Sequence, residues 1–229
     1  MSQVTRLLLV RHAQPPEDAR GRCYGSLDVG LSVRGRRDAQ LLARTLDRIP
    51  LAAIYSSPSR RAVETAAPLA AIHGLTTTVD EGLREIDFGD FEGRSYDEIE
   101  RTYPELYRQW MEEPTLVQFP GGESYTRLRV RALAAMEAIR ARSAGATAAV
   151  VSHGGVLRAM VADCLSMPDE AIFRLDQSYG ALSIIDWIDS TPIVRLLNAQ
   201  ATMVAAKRRG SCPCSPSPSL LRGSPRESR

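Results

Sequence analysis

Short apolar or β-branched runs alternate along the chain with longer segments in which apolar residues recur every three or four positions. The short runs predict strands, and the longer amphipathic segments predict helices. The predicted strands are 6–10, 51–55, 76–79, 147–151, 181–187 and 193–197. The predicted helices are 32–46, 60–72, 95–111, 125–142 and 156–165, with Ser32 as a candidate N-cap and a break at Pro104.

This alternation predicts a three-layer α/β domain in which the last two strands are candidates for an antiparallel edge. Between the strands and helices, 83–91 reads as irregular, and 114–123 reads as a loop around Pro120, Gly121 and Gly122. The middle region, 95–124, is therefore where we expect a lid and the determinants of specificity. The arginines of 125–142 lie opposite its apolar stripe and are interpreted as a solvated helix face.

Composition and charge place the domain boundary near residue 204. The chain of 229 residues is 44% hydrophobic and 24% charged, as expected of one globular domain, which we assign to 1–204. From 205 onward Lys, Arg, Ser, Pro and Gly dominate, and this composition predicts a disordered basic tail over 205–229. Six Lys or Arg residues and one Glu after residue 206 leave the rest of the chain at about −3, although the total is +2.

The same features argue against several classes of partner. Without its tail the chain has no general basic surface, so we expect no nucleic-acid binding. No apolar run approaches the ~20 residues that cross a bilayer, and the polar start of the chain leads directly into a strand, so we expect a cytoplasmic protein without a membrane partner. Four cysteines and three histidines lie far apart or in spacings unlike those of disulfide frameworks and zinc sites, so we expect no metal and no cofactor.

Cationic side chains follow the predicted strands. Arg11 and His12 come directly after the first strand, His153 follows the strand at 147–151, and Arg61 starts the second helix. If these strand ends meet at one edge of a parallel sheet, two guanidiniums and two imidazoles share one pocket. Guanidinium groups bind phosphate oxygens in pairs, and a helix that begins at Gly154 adds backbone N–H donors. The pattern predicts a phosphate site.

Two of these residue types suit phosphoryl transfer. A neutral histidine can attack phosphorus when a neighbouring group fixes its tautomer, and His12 is the best-placed candidate. The leaving oxygen then needs a proton, which a carboxylic acid can donate. Glu85, in the irregular segment, is our candidate for that acid.

Four segments of the chain resemble, in order, the motifs of the histidine phosphatase superfamily, also called phosphoglycerate mutase-like. These segments are LLLVRHA at 7–13, SSPSRRAVETA at 56–66, LREIDFGDFEG at 83–93 and VSHGGV at 151–156. The resemblance implies the family fold, a three-layer α/β/α sandwich with a mixed, mostly parallel central sheet. It also implies His12 as nucleophile, Glu85 as proton donor and later base, and Arg11, Arg61 and His153 as phosphate ligands.

The chain departs from the family motifs beside the nucleophile. Ala13 stands where family members usually have Gly, and Asp18 stands near the position of an Asn that often contacts the phosphate. Gln14 is our candidate to replace that contact. Tyr24 is a candidate for lining the substrate entrance, with a role as a packed aromatic residue left open.

The short spacing of 67 residues between Glu85 and His153 favours the phosphatase branch over the mutases, which carry a long insertion there. GRCYGSLDV at 21–29 and FPGGES at 119–124 are similar to segments of alpha-ribazole phosphatases of cobalamin biosynthesis. We therefore expect a metal-independent phosphomonoesterase for a small metabolite, with alpha-ribazole 5'-phosphate as the candidate substrate. A phosphoglycerate mutase, a non-catalytic domain that binds a phosphorylated ligand, and assembly as a homodimer stay open.

Overall fold

The computed structural model describes residues 4–19 and 21–201. Within them, six strands form a single sheet in the order β3-β2-β4-β1-β5-β6. The strands are β1 Val4–Arg11, β2 Ala53–Ser56, β3 Thr77–Val79, β4 Thr147–Ser152, β5 Leu182–Ile188 and β6 Thr191–Ala199. The predicted tail, 205–229, lies outside the described residues.

The sheet is parallel from β3 to β1 and antiparallel from β1 to β6. This confirms a mixed, mostly parallel sheet with an antiparallel edge. In the central pair, Arg11 of β1 lies opposite Ser152 of β4. The backbone N–H of His12 continues this ladder by donating to the carbonyl of Ser152 at 2.8 Å. The register therefore places the residues that follow both strands side by side.

Helices cover both faces of the sheet, so the three-layer prediction is also confirmed. The helices are α1 Val33–Leu46, α2 Arg60–His73, α3 Tyr96–Thr102, α4 Pro104–Glu112, α5 Tyr125–Arg142 and α6 Gly154–Cys164. Side chains of successive strand residues point to opposite faces. Leu7 and Leu9 accordingly pack in the core under α5 and α6, whereas Leu8 and Val10 pack in the core under α1 and α2.

The middle region has a small core of its own. Pro104 separates α3 from α4, as predicted, and the aromatic rings of Phe91, Trp110 and Phe119 pack with Ile99 in a third cluster. The segment predicted as irregular has a short 3-10 turn at each end, Glu81–Leu83 and Gly89–Phe91. The first of these turns packs on α5, and neither joins the sheet.

Helix starts differ in detail from the predictions. The hydroxyl of Ser32 accepts a hydrogen bond from the N–H of Gly35 and caps α1, as predicted. Helix α6 begins at Gly154, two residues before the predicted start, because the strand ends directly before it. Ser59 precedes α2 without a side-chain cap bond. Among the described residues, no helix combines the length and the apolar character needed to cross a bilayer.

The core on β1 gives a direct test of the fold. Leu8 is fully buried in the centre of the sheet, whereas Leu197 on the edge strand is 39% exposed. We expect Leu8→Ala to lower the free energy of unfolding by about 2–5 kcal/mol and Leu197→Ala by less than about 1 kcal/mol. Urea denaturation of both variants measures the difference. Equal losses would contradict the placement of β1 at the centre.

Candidate active site

Three elements bring the predicted cationic residues together beside one cavity of about 300 Å³, which Arg11, His12 and Arg61 line. Arg11 and His12 lie at the end of β1, His153 directly after β4, and Arg61 in the first turn of α2. The centroids of the His12 and His153 rings are 5.1 Å apart. His12, His153 and Arg61 are all buried. The residues that follow β1 and β4 therefore lie side by side, with Arg61 next to them.

His12 is held in one tautomer. Its Nδ1 atom lies 2.8 Å from the carbonyl oxygen of Ala13, which can only accept, so Nδ1 carries the proton and Nε2 the lone pair. Burial lowers the pKa of His12 well below its usual value, and the charges of Arg61 and Arg11 lower it further. The ring is therefore neutral at pH 7 and nucleophilic at Nε2.

His153 is also neutral. Its Nε2 atom lies 2.8 Å from the hydroxyl oxygen of Ser57, which precedes α2, and its Nδ1 atom is buried without a partner in the described part of the chain. Burial lowers the pKa of His153 well below its usual value, and the charges of Arg61 and Arg11 lower it further. Two imidazoles can therefore sit side by side without charge repulsion.

The two guanidinium groups are oriented by carbonyl oxygens. Arg61 donates from Nη2 to Gly25 at 2.8 Å and from Nη1 to Leu27 at 3.0 Å. Arg11 donates to the carbonyl of Gln177, and its guanidinium lies 4.0 Å above the ring of Tyr179. The Nε atoms of both arginines are buried and have no partner among the described residues. Donors directed at no protein group are what an anion site requires.

Arg60 lies outside this cluster. Its side chain is exposed and its Nε donates to Glu64 at 2.8 Å. The choice of Arg61 over Arg60 as the residue that enters the cavity therefore agrees with the structure.

Glu85 approaches the start of α6. Its carboxylate accepts from the N–H of Ile86 at 3.0 Å and from the N–H of Gly155 at 3.1 Å. A Cβ atom at Gly155 would lie 2.4 Å from the nearer carboxylate oxygen, so only glycine permits this approach. The predicted backbone donors at the helix start are present, but Gly155 directs its N–H at Glu85.

The remaining predicted residues differ in their placement. Gly154 and Tyr24 line the cavity, and the hydroxyl group of Tyr24 is hydrogen-bonded to that of Tyr179 at 2.5 Å. Gln14 is not among the residues that line the cavity. Its backbone is packed against Gly35, where a Cβ atom would lie 2.1 Å from the Gln14 carbonyl oxygen.

Three residues of the site escaped the sequence analysis. Tyr179 stacks on Arg11 and lies 5.4 Å from His12, measured between ring centroids. Ser57 holds His153, and Arg158 lines the cavity while its Nε donates to Leu175 at 2.8 Å. The spacing of Arg158, four residues after Gly154 on α6, is a signal that would have found it. Tyr179 lies in a loop whose sequence gives no such signal.

Aromatic side chains from the middle region and from the segment just before it form one wall of the cavity. We call this set the aromatic wall; its members are Phe88, Tyr96, Trp110 and Phe119. Tyr96 stacks on Trp110 with ring centroids 5.5 Å apart and an angle of 29° between the planes. The region predicted to contain a lid and specificity determinants therefore does contact the cavity.

Comparison with known proteins agrees with this geometry. The family model of the histidine phosphatase superfamily (branch 1) matches residues 7–200. A protein of Hydrogenobacter thermophilus named phosphoserine phosphatase 1 is 35% identical over 195 residues, covering 85% of this chain and 92% of the relative.

Solved structures show the same fold. The alpha-ribazole phosphatase from Shigella flexneri superposes with a TM-score of 0.78 at 26% identity, covering 85% of this chain and 96% of that one. The mycobacterial glucosyl-3-phosphoglycerate phosphatase superposes with a TM-score of 0.76 at 28% identity, covering 86% and 99%. The chain belongs to the histidine phosphatase superfamily. It is a phosphoric monoester hydrolase with a phosphoglycerate mutase-like α/β fold.

The neutral histidines make stability depend on pH. An unfolded histidine binds a proton below pH ~6.5, whereas the buried ring of His153 does not, so its contribution to stability is present above pH ~6.5 and lost as pH falls. Between pH ~7.5 and ~5.5 this loss amounts to about 1.4 kcal/mol per ring. We expect urea denaturation to show a smaller loss in His153→Gln than in wild type, by about that amount. An equal loss of unfolding free energy in the two proteins would show that the folded ring binds a proton as an unfolded histidine does.

Proposed function

We propose that the protein hydrolyses a small phosphomonoester through a phosphohistidine on His12, without a metal ion. The observation that carries this proposal is the contact between His12 Nδ1 and the Ala13 carbonyl, which leaves the lone pair on Nε2. Burial lowers the pKa of His12 and so keeps the ring neutral. The guanidiniums of Arg11 and Arg61 lie beside this ring, and each has a buried Nε atom without a partner among the described residues. Such fixed donors stabilise the oxygens of a transferring phosphoryl group.

The reaction has two steps. In the first, Nε2 of His12 attacks phosphorus, the P–N bond forms, the P–O bond to the alcohol breaks, and Glu85 donates a proton to the leaving oxygen. In the second, Glu85 accepts a proton from water, the water oxygen attacks phosphorus and the P–N bond breaks. The histidine and the carboxylic acid are regenerated, and the products are an alcohol and inorganic phosphate. Arg11, Arg61 and His153 hold the phosphoryl oxygens in both steps.

Alpha-ribazole 5'-phosphate is our candidate substrate. The aromatic wall supports it, because Tyr96 and its neighbours offer flat apolar surfaces to an aromatic base attached to the sugar phosphate. The segments at 21–29 and 119–124, which are similar to those of alpha-ribazole phosphatases, support the same substrate. The similarity of the fold to the Shigella flexneri enzyme supports it as well. The only carboxylate among the described residues that line the cavity is Glu85, so no separate anionic group is left for the ammonium of phosphoserine.

The nucleophile is tested by substitution. We expect His12→Ala to lower kcat at least about a thousandfold, because no other side chain replaces the attacking nitrogen. His73→Ala, at the opposite end of α2, is the matched control and should retain activity. Quenching in alkali shortly after mixing with ³²P-labelled substrate should trap label on wild type only, because the P–N bond of a phosphohistidine survives base and hydrolyses in acid. Full turnover in His12→Ala, or loss of wild-type activity in EDTA, would overturn the mechanism.

The substrate is tested with two esters that share a sugar phosphate. We expect kcat/KM for alpha-ribazole 5'-phosphate to exceed that for ribose 5-phosphate at least tenfold, as expected for the burial of an aromatic group worth about 1.5 kcal/mol or more. In Tyr96→Ala the ratio of the two kcat/KM values should fall, because Tyr96 contributes to the aromatic wall. Tyr96 is 41% exposed, so we expect its removal to have little effect on folding. Equal rates for both esters, with faster hydrolysis of phosphoserine or a phosphoglycerate, would contradict this substrate. Tight ligand binding without turnover would instead support the non-catalytic alternative.

A further inference from the structure

One arginine of α5 does not lie on a solvated face, contrary to the sequence analysis. Arg131 pairs with Glu123 through Nε at 2.8 Å and Nη2 at 2.7 Å. It also donates to the carbonyl of Gly82 at 3.1 Å, to that of Glu85 at 3.0 Å and to that of Arg84. A guanidinium has five N–H bonds, and these contacts use all five. Arg131 therefore has no donor left for a substrate.

The acid segment depends on such side-chain contacts. The carbonyls of four consecutive residues, 82–85, accept hydrogen bonds from side chains, three from Arg131 and one from the hydroxyl of Ser152 to Leu83 at 2.8 Å. Ser152 directly precedes His153, so the segment is tied both to α5 and to the end of β4. No strand or helix pairing holds the backbone of Glu85 in place.

Close packing reinforces this attachment. A Cβ atom at Gly82 would lie 2.8 Å from the Cβ of Ala135 and 3.2 Å from the Arg131 carbonyl. The turn at Glu81–Leu83 therefore lies directly on α5, and the Arg131 guanidinium extends from the helix to the residues beyond it. The carboxylate of Glu85 itself reaches Gly155 at the start of α6. Its direction depends on the backbone that Arg131 holds.

We propose that Arg131, oriented by Glu123, is a positioning residue that aims the Glu85 carboxyl group at the leaving oxygen. This inference rests on the proposed role of Glu85 as proton donor. Lysine cannot replace Arg131, because an ammonium group has three donors on a single atom and cannot span a carboxylate and three separate carbonyls. A small displacement of a catalytic group lowers the rate without removing the group.

The test compares esters that differ in their need for an acid. Departure of p-nitrophenolate from p-nitrophenyl phosphate requires little protonation, whereas departure of glycerol from glycerol 3-phosphate requires a full proton transfer. We expect Arg131→Lys to lower kcat/KM about 10- to 100-fold for glycerol 3-phosphate and less than about threefold for p-nitrophenyl phosphate. Arg127→Lys is the matched control, since Arg127 is exposed on the same helix.

Glu85→Gln separates this inference from the function on which it rests. It should lower kcat/KM selectively for glycerol 3-phosphate by about 10²- to 10⁴-fold. Adding Arg131→Lys to Glu85→Gln should then change either rate less than about threefold, because the group to be positioned is gone. If Glu85→Gln has no selective effect, the acid assignment is wrong and the role of Arg131 falls with it.

Two further results would overturn the role of Arg131 alone. The first is an equal fall for both esters in Arg131→Lys while Glu85→Gln remains selective, which would indicate general damage to the cavity. The second is a full additional loss in the double variant. Glu123→Gln is the alternative variant if Arg131→Lys folds poorly. It keeps the arginine but weakens the ion pair that orients its guanidinium. It should show the same selectivity for glycerol 3-phosphate with a smaller loss.

Discussion

The guanidinium of Arg61 is buried and that of Arg11 is half-buried beside two imidazole rings, and neither forms a salt bridge with a carboxylate among the described residues. Burying a charge without a partner is costly, so the surrounding structure must reduce that cost. It does so with carbonyl oxygens for the guanidiniums and by keeping both imidazoles neutral. The same constraint that permits the cluster to fold thus gives His12 a free lone pair and leaves guanidinium donors for an anion.

The sheet makes this cluster predictable in part. Arg11 and His12 end β1, and His153 follows β4, so the rule that parallel strands end at one edge was enough to bring them together. The alternation of Leu7 to Val10 between the two cores likewise follows from strand geometry. Local pattern alone does not show that β4 lies between β1 and β2, because strand order depends on the packing of distant segments.

Other parts of the site could not be derived from pattern. The arginines on α5 read as solvent-facing because helical periodicity describes only one element at a time. Arg131 lies where an irregular segment crosses that face, and nothing in the periodicity of either segment indicates the crossing. Gln14 lies outside the cavity lining for the converse reason. Its position beside the nucleophile in sequence suggested a phosphate contact, but its backbone packs against Gly35 at the start of α1.

The two halves of the proposed chemistry are therefore built differently. His12 is held in place by the sheet, whereas the backbone around Glu85 is held by side chains. One of these side chains, that of Arg131, is oriented by a residue of the segment 118–124. Phe119 of this segment belongs to the aromatic wall, and the carboxylate of Glu123 accepts two hydrogen bonds from Arg131. The N–H of Glu123 also donates to the carbonyl of Asp87 at 2.8 Å, two residues beyond Glu85. One short segment thus contacts both the aromatic wall and the arginine that holds the backbone of Glu85. The acid segment is also joined to the end of β4, because the hydroxyl of Ser152 donates to the carbonyl of Leu83 at 2.8 Å. The wall, the acid segment and the strand-end cluster are therefore linked by contiguous contacts rather than built as independent parts.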